Sequence, residues 1–352
     1  MGPRKRWALV FAALVLGAYW PLTRVVEPAA REAWFRTVTR ALATDAHGML
    51  PPDGAMWLGA TRPELPQSAY GIQQLEELLG QPLAITSFYQ AWGDGEPHEF
   101  PRGVLDSLRH GGYLPMVTWE PWLGAFDAYR GQNPPRSLRT IASGVLDQYI
   151  TRWARGAVRY GHPFLLRVAH EPTNPWYGWS PSYGNSAEDY RAFWAHVHRI
   201  FREQGARNVL FVWTPYGLDE RAFYPGEGRV DWIGLDIFNF GSLSEEAVWL
   251  DFYTLTKLAY DAYRELGPPL MIAEVATSSR GGNKSDWIRD MFHSLASGNF
   301  PEIRALVLFD HPSAATPGGL PVDWSVGEIA SSVASWRRDP AWLRQFTREV
   351  EL

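Results

Sequence analysis

Eight short apolar runs, separated by segments of helical periodicity, constrain the fold of this chain more than any other feature. Each run has strand length and is mainly apolar, as expected for parallel strands buried on both faces. The runs begin at Met56, Leu83, Leu114, Phe164, Asn208, Trp232, Pro269 and Arg304. Between them, apolar residues recur at the three- and four-residue spacing of amphipathic helices. This alternation predicts an α/β protein with a single (β/α)8 (TIM) barrel domain.

The barrel is expected to occupy residues 51–345, after a linker over residues 25–50. A doubly wound sheet is the alternative architecture, but it would use fewer strands and a glycine-rich phosphate turn, which the sequence lacks. Ile141, Val145, Tyr149 and Trp153 recur every four residues and predict one helix before the fourth strand.

The N-terminus has the pattern of a targeting segment. Arg4, Lys5 and Arg6 precede an apolar run over residues 7–22, so residues 1–24 are predicted to be an export signal or a signal-anchor. No clean Ala-x-Ala cleavage site follows, which favours an uncleaved anchor over a cleaved signal, with a buried soluble helix as the third alternative. The barrel is therefore expected outside the cytoplasmic membrane, anchored to it or secreted.

Composition excludes several other classes of function. The chain has no cysteine, so disulfides, thiolate metal sites and a cysteine nucleophile are ruled out. Its net charge of −5 comes without a basic stripe, which argues against a nucleic-acid partner. Neither a calcium-loop nor a zinc-protease motif is present, and no metal or cofactor is expected. The chain is expected to be a monomer. Its 18 Trp residues suggest an aromatic-lined cleft in addition to a core.

Two strands end in acidic side chains. The fourth run ends in Arg167, His170 and Glu171, and the seventh ends in Glu274. Catalytic groups of (β/α)8 barrels lie at the carboxyl ends of the strands, where strands four and seven face each other. Two carboxyls about 5–5.5 Å apart are the apparatus of retaining glycoside cleavage. The acid/base should be buried near an anion, and the nucleophile should lie near donors such as Arg167. The alternative for Glu171 is a structural ion pair with Arg167.

At these residues the chain resembles glycoside hydrolase family 26, whose best-known members are endo-β-1,4-mannanases. The resemblance runs from about Trp57 to Trp324. Its motifs are the run from Leu114 to Trp122, the Arg167-x-x-His170-Glu171 segment with Trp176, the stretch from Phe223 to Asp236, and Met271 to Glu274. It implies a (β/α)8 barrel with Glu171 as acid/base and Glu274 as nucleophile. It also implies that four further residues surround the cleaved bond: Arg167, His170, Trp176 and Asp236.

Further binding residues are expected at other strand ends. Trp119, Trp122, Trp213, Tyr216 and Trp324 are predicted to contact sugar rings through their aromatic faces. Packing in the core is the alternative for the first four. Position 238 departs from the family pattern, which has a tyrosine there to donate to the nucleophile. Phe238 cannot donate, and Tyr216 or Asn239 is the alternative donor. The Pro172–Asn174 loop also departs from the family pattern, which leaves the sugar open.

The sequence therefore predicts a retaining β-glycoside hydrolase that acts on a polysaccharide and is endo-β-1,4-mannanase-like. Alternative substrates are β-1,3-1,4-glucan, β-1,3-xylan or an exopolysaccharide made by the same cell, which an anchored enzyme would trim. Outside the enzyme class, the alternatives are a non-catalytic glycan-binding barrel and a membrane-associated scaffold.

Overall fold

The structure, a computed structural model, describes residues 46–132, 134–244, 247–312, 314–315, 321–327 and 346–349 of the 352-residue chain. The predicted targeting segment (residues 1–24) and most of the predicted linker lie outside these residues. Within the described part of the chain, no helix is both long enough and apolar enough to cross a membrane.

Eight parallel strands form a closed barrel. Each strand pairs with the next along the chain, and β8 pairs with β1 to complete the circle. The strands are β1 (Met56–Thr61), β2 (Ile85–Ala91), β3 (Leu114–Glu120), β4 (Phe164–Val168), β5 (Val209–Trp213), β6 (Trp232–Asn239), β7 (Leu270–Thr277) and β8 (Ile303–Phe309). The predicted (β/α)8 barrel is thus confirmed, and each predicted apolar run overlaps one of these strands.

Helices follow the strands on the outside of the barrel. They are α1 (Tyr70–Leu79), α2 (Arg102–His110), α3 (Ser137–Ala142), α4 (Asp147–Tyr160), α5 (Ala187–Glu203), α6 (Phe252–Tyr263) and α7 (Lys284–Ala296). Short 3-10 turns lie at Glu96–His98, Leu123–Ala125, Asp127–Tyr129, Pro181–Tyr183, Arg221–Phe223, Gly241–Leu243 and Arg264–Leu266.

The single helix predicted before the fourth strand is wrong, because the chain breaks between α3 and α4. Gly144 adopts φ +95°, a conformation that glycine tolerates and that ends helices. Val145, one of the four periodic residues, is 58% exposed in this break.

Strand alternation divides the core into two layers. Inward-facing residues such as Met116, Leu165 and Val212 fill the barrel, while their strand neighbours, such as Val117 and Leu166, pack under the helices. Successive strand residues point to opposite faces. The parity of a residue along its strand therefore decides whether its side chain can reach the barrel opening.

Short strands extend this framework. β9 (Ala314–Ala315) and β10 (Pro321–Val322) form an antiparallel pair, and β11 (Phe346–Thr347) adds to β1 in parallel. At the other end of the described chain, the Ala46 amide donates to the Arg207 carbonyl at 3.0 Å. Packing against the barrel therefore extends past residues 51 and 345.

Candidate active site

The backbone beyond β4 is strained where it presents Glu171. Ala169 and Glu171 adopt φ values of +42° and +49°, which are uncommon for residues with a side chain. Hydrogen bonds to both neighbouring strands hold this conformation: Ala169 N–H donates to Trp119 O at 3.1 Å, and Glu171 N–H donates to Thr214 O at 2.8 Å. Strain of this kind is concentrated at functional sites.

A buried guanidinium organises the barrel opening. Arg167 is fully buried, and its Nε donates to Thr118 Oγ1 at 2.8 Å. Its Nη1 contacts both carboxylate oxygens of Asp236, at 3.1 and 3.3 Å, and its Nη2 donates to Glu274. Strand register creates this arrangement, because Thr118 pairs with Arg167 and Asp236 pairs with Glu274 across adjacent strands.

Glu274 receives a second donor, from β2. The hydroxyl of Tyr89 donates to Oε1 of Glu274, which is also the oxygen that Arg167 contacts. The alternative donors considered for the hydroxyl missing at Phe238 are therefore wrong. Asn239 donates instead to Thr277 Oγ1 at 3.1 Å, and Tyr216 is 46% exposed on the loop after β5.

Glu171 has a different environment. Asn174 Nδ2 donates to its Oε2 at 2.6 Å, and its carboxyl is in hydrogen-bond contact with that of Asp236. Burial, followed by the negative charge of Glu274, raises the pKa of Glu171 to about 7. The ion pairs of Arg167 within the described chain go to Asp236 and Glu274, so the alternative of a structural Arg167–Glu171 pair is wrong.

Titratable groups near this pair also have shifted pKa values. Burial raises the pKa of Asp236 well above its usual range, with the charges of Glu274 and Glu171 adding to the effect of burial and Arg167 opposing it. Burial also raises the pKa of Glu120 to about 7. Burial and the charge of Arg167 hold the pKa of His170 well below its usual range, so the imidazole is neutral. The site can therefore release and accept a proton near neutral pH.

Aromatic side chains lie around the opening. Trp176 is 45% exposed in the loop after Glu171. Half-buried Trp122 contacts the edge of Trp179 at 4.9 Å, and Trp179 stacks on Tyr177 at 4.4 Å. The Tyr177 hydroxyl is 2.9 Å from His170 Nε2. The aromatic wall that follows β4 thus continues from the buried imidazole of His170 to the half-buried indole of Trp122.

A second concave surface lies on the β5–β6 side. It is a cavity of 220 Å³ whose lining includes Tyr216, Asp236 and Phe238. Residues of α6, Leu255 and Leu258 among them, also line this cavity. Contact between Tyr216 and a sugar ring stays a prediction.

Three predicted sugar-contacting indoles are buried. Trp119 is fully buried, with Trp92 at 4.2 Å and Trp153 at 4.4 Å, and Trp213 is fully buried beside Tyr224 and Tyr263. Trp324 is 4% exposed and packs against Phe238 at 5.4 Å. An indole without an accessible face cannot stack on a sugar ring, so these predictions are wrong. For Trp119 and Trp213, strand parity is the cause, because both face the helices.

Sequence reasoning missed Tyr89, Thr118 and Asn174 as site residues. Tyr89 and Thr118 occupy inward positions near the ends of β2 and β3 and pair with each other in register. The alternation of inward- and outward-facing residues along those strands would have identified both side chains as facing the barrel interior. Asn174 lies in an irregular loop, where its Oδ1 accepts from Trp176 N–H at 3.1 Å, and no periodicity marks it.

The opening of this closed (β/α)8 barrel holds a protonatable carboxyl near a second carboxyl that accepts from a guanidinium and a phenol. This fold and this site are those of a glycoside hydrolase. The model of glycosyl hydrolase family 26 matches residues 133–275. The chain belongs to that family, whose members act with retention of configuration.

Relatives and solved structures are consistent with this assignment. Endoglucanase H of Acetivibrio thermocellus is 30% identical over 291 residues, covering 80% of this chain and 29% of that protein. The beta-1,3-xylanase TXYA of a Vibrio species is 29% identical over 124 residues, covering 32% of this chain and 26% of that protein. The chain thus spans less than a third of the length of either relative. A modular endo-beta-1,4-mannanase from Cellulomonas fimi shares the fold, with a TM-score of 0.61, 15% identity, and 90% and 77% of the two chains covered.

Proposed function

We propose that this barrel hydrolyses a β-linked polysaccharide with retention, as an endo-β-1,4-mannanase-like enzyme. Glu171 is the acid/base and Glu274 the nucleophile. The observation that carries the proposal is the contrast between the two carboxyls within one buried network. Glu171 holds its proton near neutral pH, whereas Glu274 accepts from a guanidinium and a phenol.

The first chemical step forms a glycosyl-enzyme. A carboxylate oxygen of Glu274 bonds to the anomeric carbon while the bond from that carbon to the glycosidic oxygen breaks. The electron pair goes to the departing oxygen, which takes the proton of Glu171.

The second step returns the enzyme to its starting state. Glu171, now ionised, accepts a proton from water as the water oxygen bonds to the anomeric carbon. The bond to Glu274 breaks, and its electron pair restores the carboxylate.

A β-glycan suits the exposed aromatic surface beside these carboxyls. Trp176 and Tyr216 are each nearly half exposed, and indole and phenol faces provide apolar contact area with a polar edge. The mannanase fold-relative favours β-1,4-mannan as substrate, and the endoglucanase and β-1,3-xylanase relatives favour β-glucan and β-1,3-xylan as alternatives.

The decisive test replaces Glu171 by Ala and compares two substrates. Hydrolysis of polysaccharide should fall by about 10²–10⁴-fold, the usual contribution of proton transfer. An aryl glycoside with an acidic phenol needs no protonation, so release of that phenol should fall far less. Glu274→Ala should abolish both reactions, and exposed Glu227, changed to Ala, is the matched control.

Two results would overturn the assignment. Equal losses on both substrates for Glu171→Ala would remove the acid role. Binding of mannan, glucan and xylan by the wild-type protein without any product would instead identify a non-catalytic glycan-binding barrel.

The enzyme is further proposed to act outside the cell, held at the cytoplasmic membrane by the apolar segment of residues 7–22. The basic start of the chain and the absence of a clean cleavage site support this location. Such a position suits trimming of an exopolysaccharide by the cell that secretes it. Release of the full-length protein from membranes by alkaline carbonate would contradict anchoring.

A further inference from the structure

The two donors to Glu274 converge on a single oxygen. Tyr89 from β2 and Arg167 from β4 both donate to Oε1. They also contact each other, with Arg167 Nη2 3.4 Å from the Tyr89 hydroxyl and its guanidinium carbon 5.7 Å from the centre of the phenol ring. The two side chains form one cradle around one oxygen.

The other oxygen of Glu274, Oε2, differs from Oε1 in its contacts. Among the residues that the structure describes, no side chain or backbone group donates to Oε2. A carboxylate whose donors all contact one oxygen cannot rotate without losing them, since these bonds are directional. The two oxygens are therefore chemically distinct before any substrate binds.

Tyr89 is fixed as a hydrogen-bond donor by its surroundings. Burial, together with the negative charge of Glu274, raises the pKa of its phenol well above the usual range. The hydroxyl therefore keeps its proton across the working pH. The His170 ring packs against the phenol at a steep angle, with the two ring centroids 6.0 Å apart.

Position 238 does not duplicate this donor. Phe238 has no hydroxyl, and its ring packs with Phe309 at 5.3 Å and Trp324 at 5.4 Å. β6 thus supplies an apolar wall at this point. The phenolic donor comes instead from β2, on the opposite side of the barrel.

We propose that Tyr89 is a positioning residue that, with Arg167, reserves Oε1 of Glu274 as the held oxygen and leaves Oε2 to attack the anomeric carbon. This inference rests on the proposed function of Glu274. In the glycosyl-enzyme, Oε2 becomes the ester oxygen and Oε1 becomes the carbonyl oxygen, still within reach of both donors. Donation to the carbonyl polarises the ester. It also stabilises the carboxylate that forms when water displaces it.

The test removes only the hydroxyl, by Tyr89→Phe. Because the variant loses a hydrogen bond to a charged group, kcat should fall about 10- to 100-fold. KM should change less than about threefold, because the hydroxyl contacts the nucleophile and not the sugar. Turnover of a trapped 2-fluoroglycosyl-enzyme, followed by mass spectrometry, should slow by a similar factor. Tyr149→Phe is the matched control, since its buried ring also loses a hydroxyl bond, to the His98 carbonyl at 2.8 Å, away from the carboxyls.

The outcomes separate this inference from the proposed function. A wild-type protein inactive on every glycan would refute the function itself. If the wild type is active and the kcat of Tyr89→Phe lies within threefold of the wild-type kcat, the proposed role of Tyr89 is wrong. It is also wrong if Tyr149→Phe loses as much kcat as Tyr89→Phe does. Tyr89→Leu provides a second hydroxyl-free variant. If both Tyr89 variants bind glycan like wild type and the trapped intermediate turns over at the wild-type rate, the inference is also wrong.

Discussion

At the level of single residues, the site makes two identical functional groups behave differently. Asn174 provides one neutral donor to Glu171, whereas Glu274 receives an ionic and a phenolic donor. Burial penalises the charged form of a carboxyl, and only strong donors offset that penalty. The proposed acid and the proposed nucleophile are thus distinguished by their neighbours, most of which come from other strands.

The Asn174 contact predicts a shift in the pH dependence of the reaction. The Nδ2 donor favours the ionised form of Glu171 and lowers its pKa, so Asn174→Ala should raise that pKa further above about 7. The acid must be protonated to act, so the high-pH decline of kcat/KM should move to higher pH, by about 1–2 pH units for a bond to a charged group. The measurement is a pH profile on polysaccharide.

A second variant separates this effect from damage to the loop. Asn174 also accepts from the Trp176 amide, and Asn174→Asp retains that acceptor while removing the donor and adding a negative charge. Its decline should therefore also lie at higher pH than that of wild type. A decline at lower pH in either variant would show that Asn174 does not control the acid.

At the level of elements, the hydrophobic pattern of the sequence was enough to predict the fold, but it predicted only some of the site residues. The eight apolar runs fixed strand number and order, and strand order placed Glu171 and Glu274 at the same barrel mouth. Parity within each strand was available too, and it would have placed Thr118 inside and Trp119 outside. The Tyr89–Glu274 contact joins residues 185 positions apart, and no local pattern encodes which inward side chains meet.

Buried Trp119 on β3 and exposed Trp176 in the loop after Glu171 should differ in what their replacement changes: stability for Trp119 and substrate binding for Trp176. Trp119→Ala should lower the free energy of unfolding by about 3–5 kcal/mol, because it leaves a cavity among Trp92 and Trp153. Trp176→Ala removes an exposed ring and should change stability by less than about 0.5 kcal/mol, while KM for polysaccharide rises. Urea unfolding and steady-state kinetics measure the two effects. Stability loss from Trp176→Ala equal to that from Trp119→Ala would refute this division.

At the level of the whole molecule, both ends of the described chain meet at the base of the barrel. β1 begins there and pairs with β11 through Met56–Phe346 and Trp57–Thr347. Trp57 Nε1 donates to the Glu349 carbonyl at 2.8 Å, and Arg348 forms an ion pair with Glu76 of α1. The C-terminal segment therefore covers the end of the barrel away from the carboxyl cluster.

This arrangement predicts that stability and catalysis depend on opposite ends of the barrel. A chain ending at residue 345 loses β11, including Phe346, which is 8% exposed and contacts Phe292 at 5.7 Å. Removing one such aromatic side chain costs about 3–5 kcal/mol, so the urea midpoint should fall markedly. A chain ending at Glu349 keeps these contacts, so it is the matched control and its urea midpoint should lie above that of the shorter chain. Because the carboxyls lie at the carboxyl ends of the strands, kcat of the folded fraction at low temperature should stay within about threefold in both chains. A kcat loss in the shorter chain that stabilising osmolytes do not restore would show that the base and the mouth of the barrel are coupled.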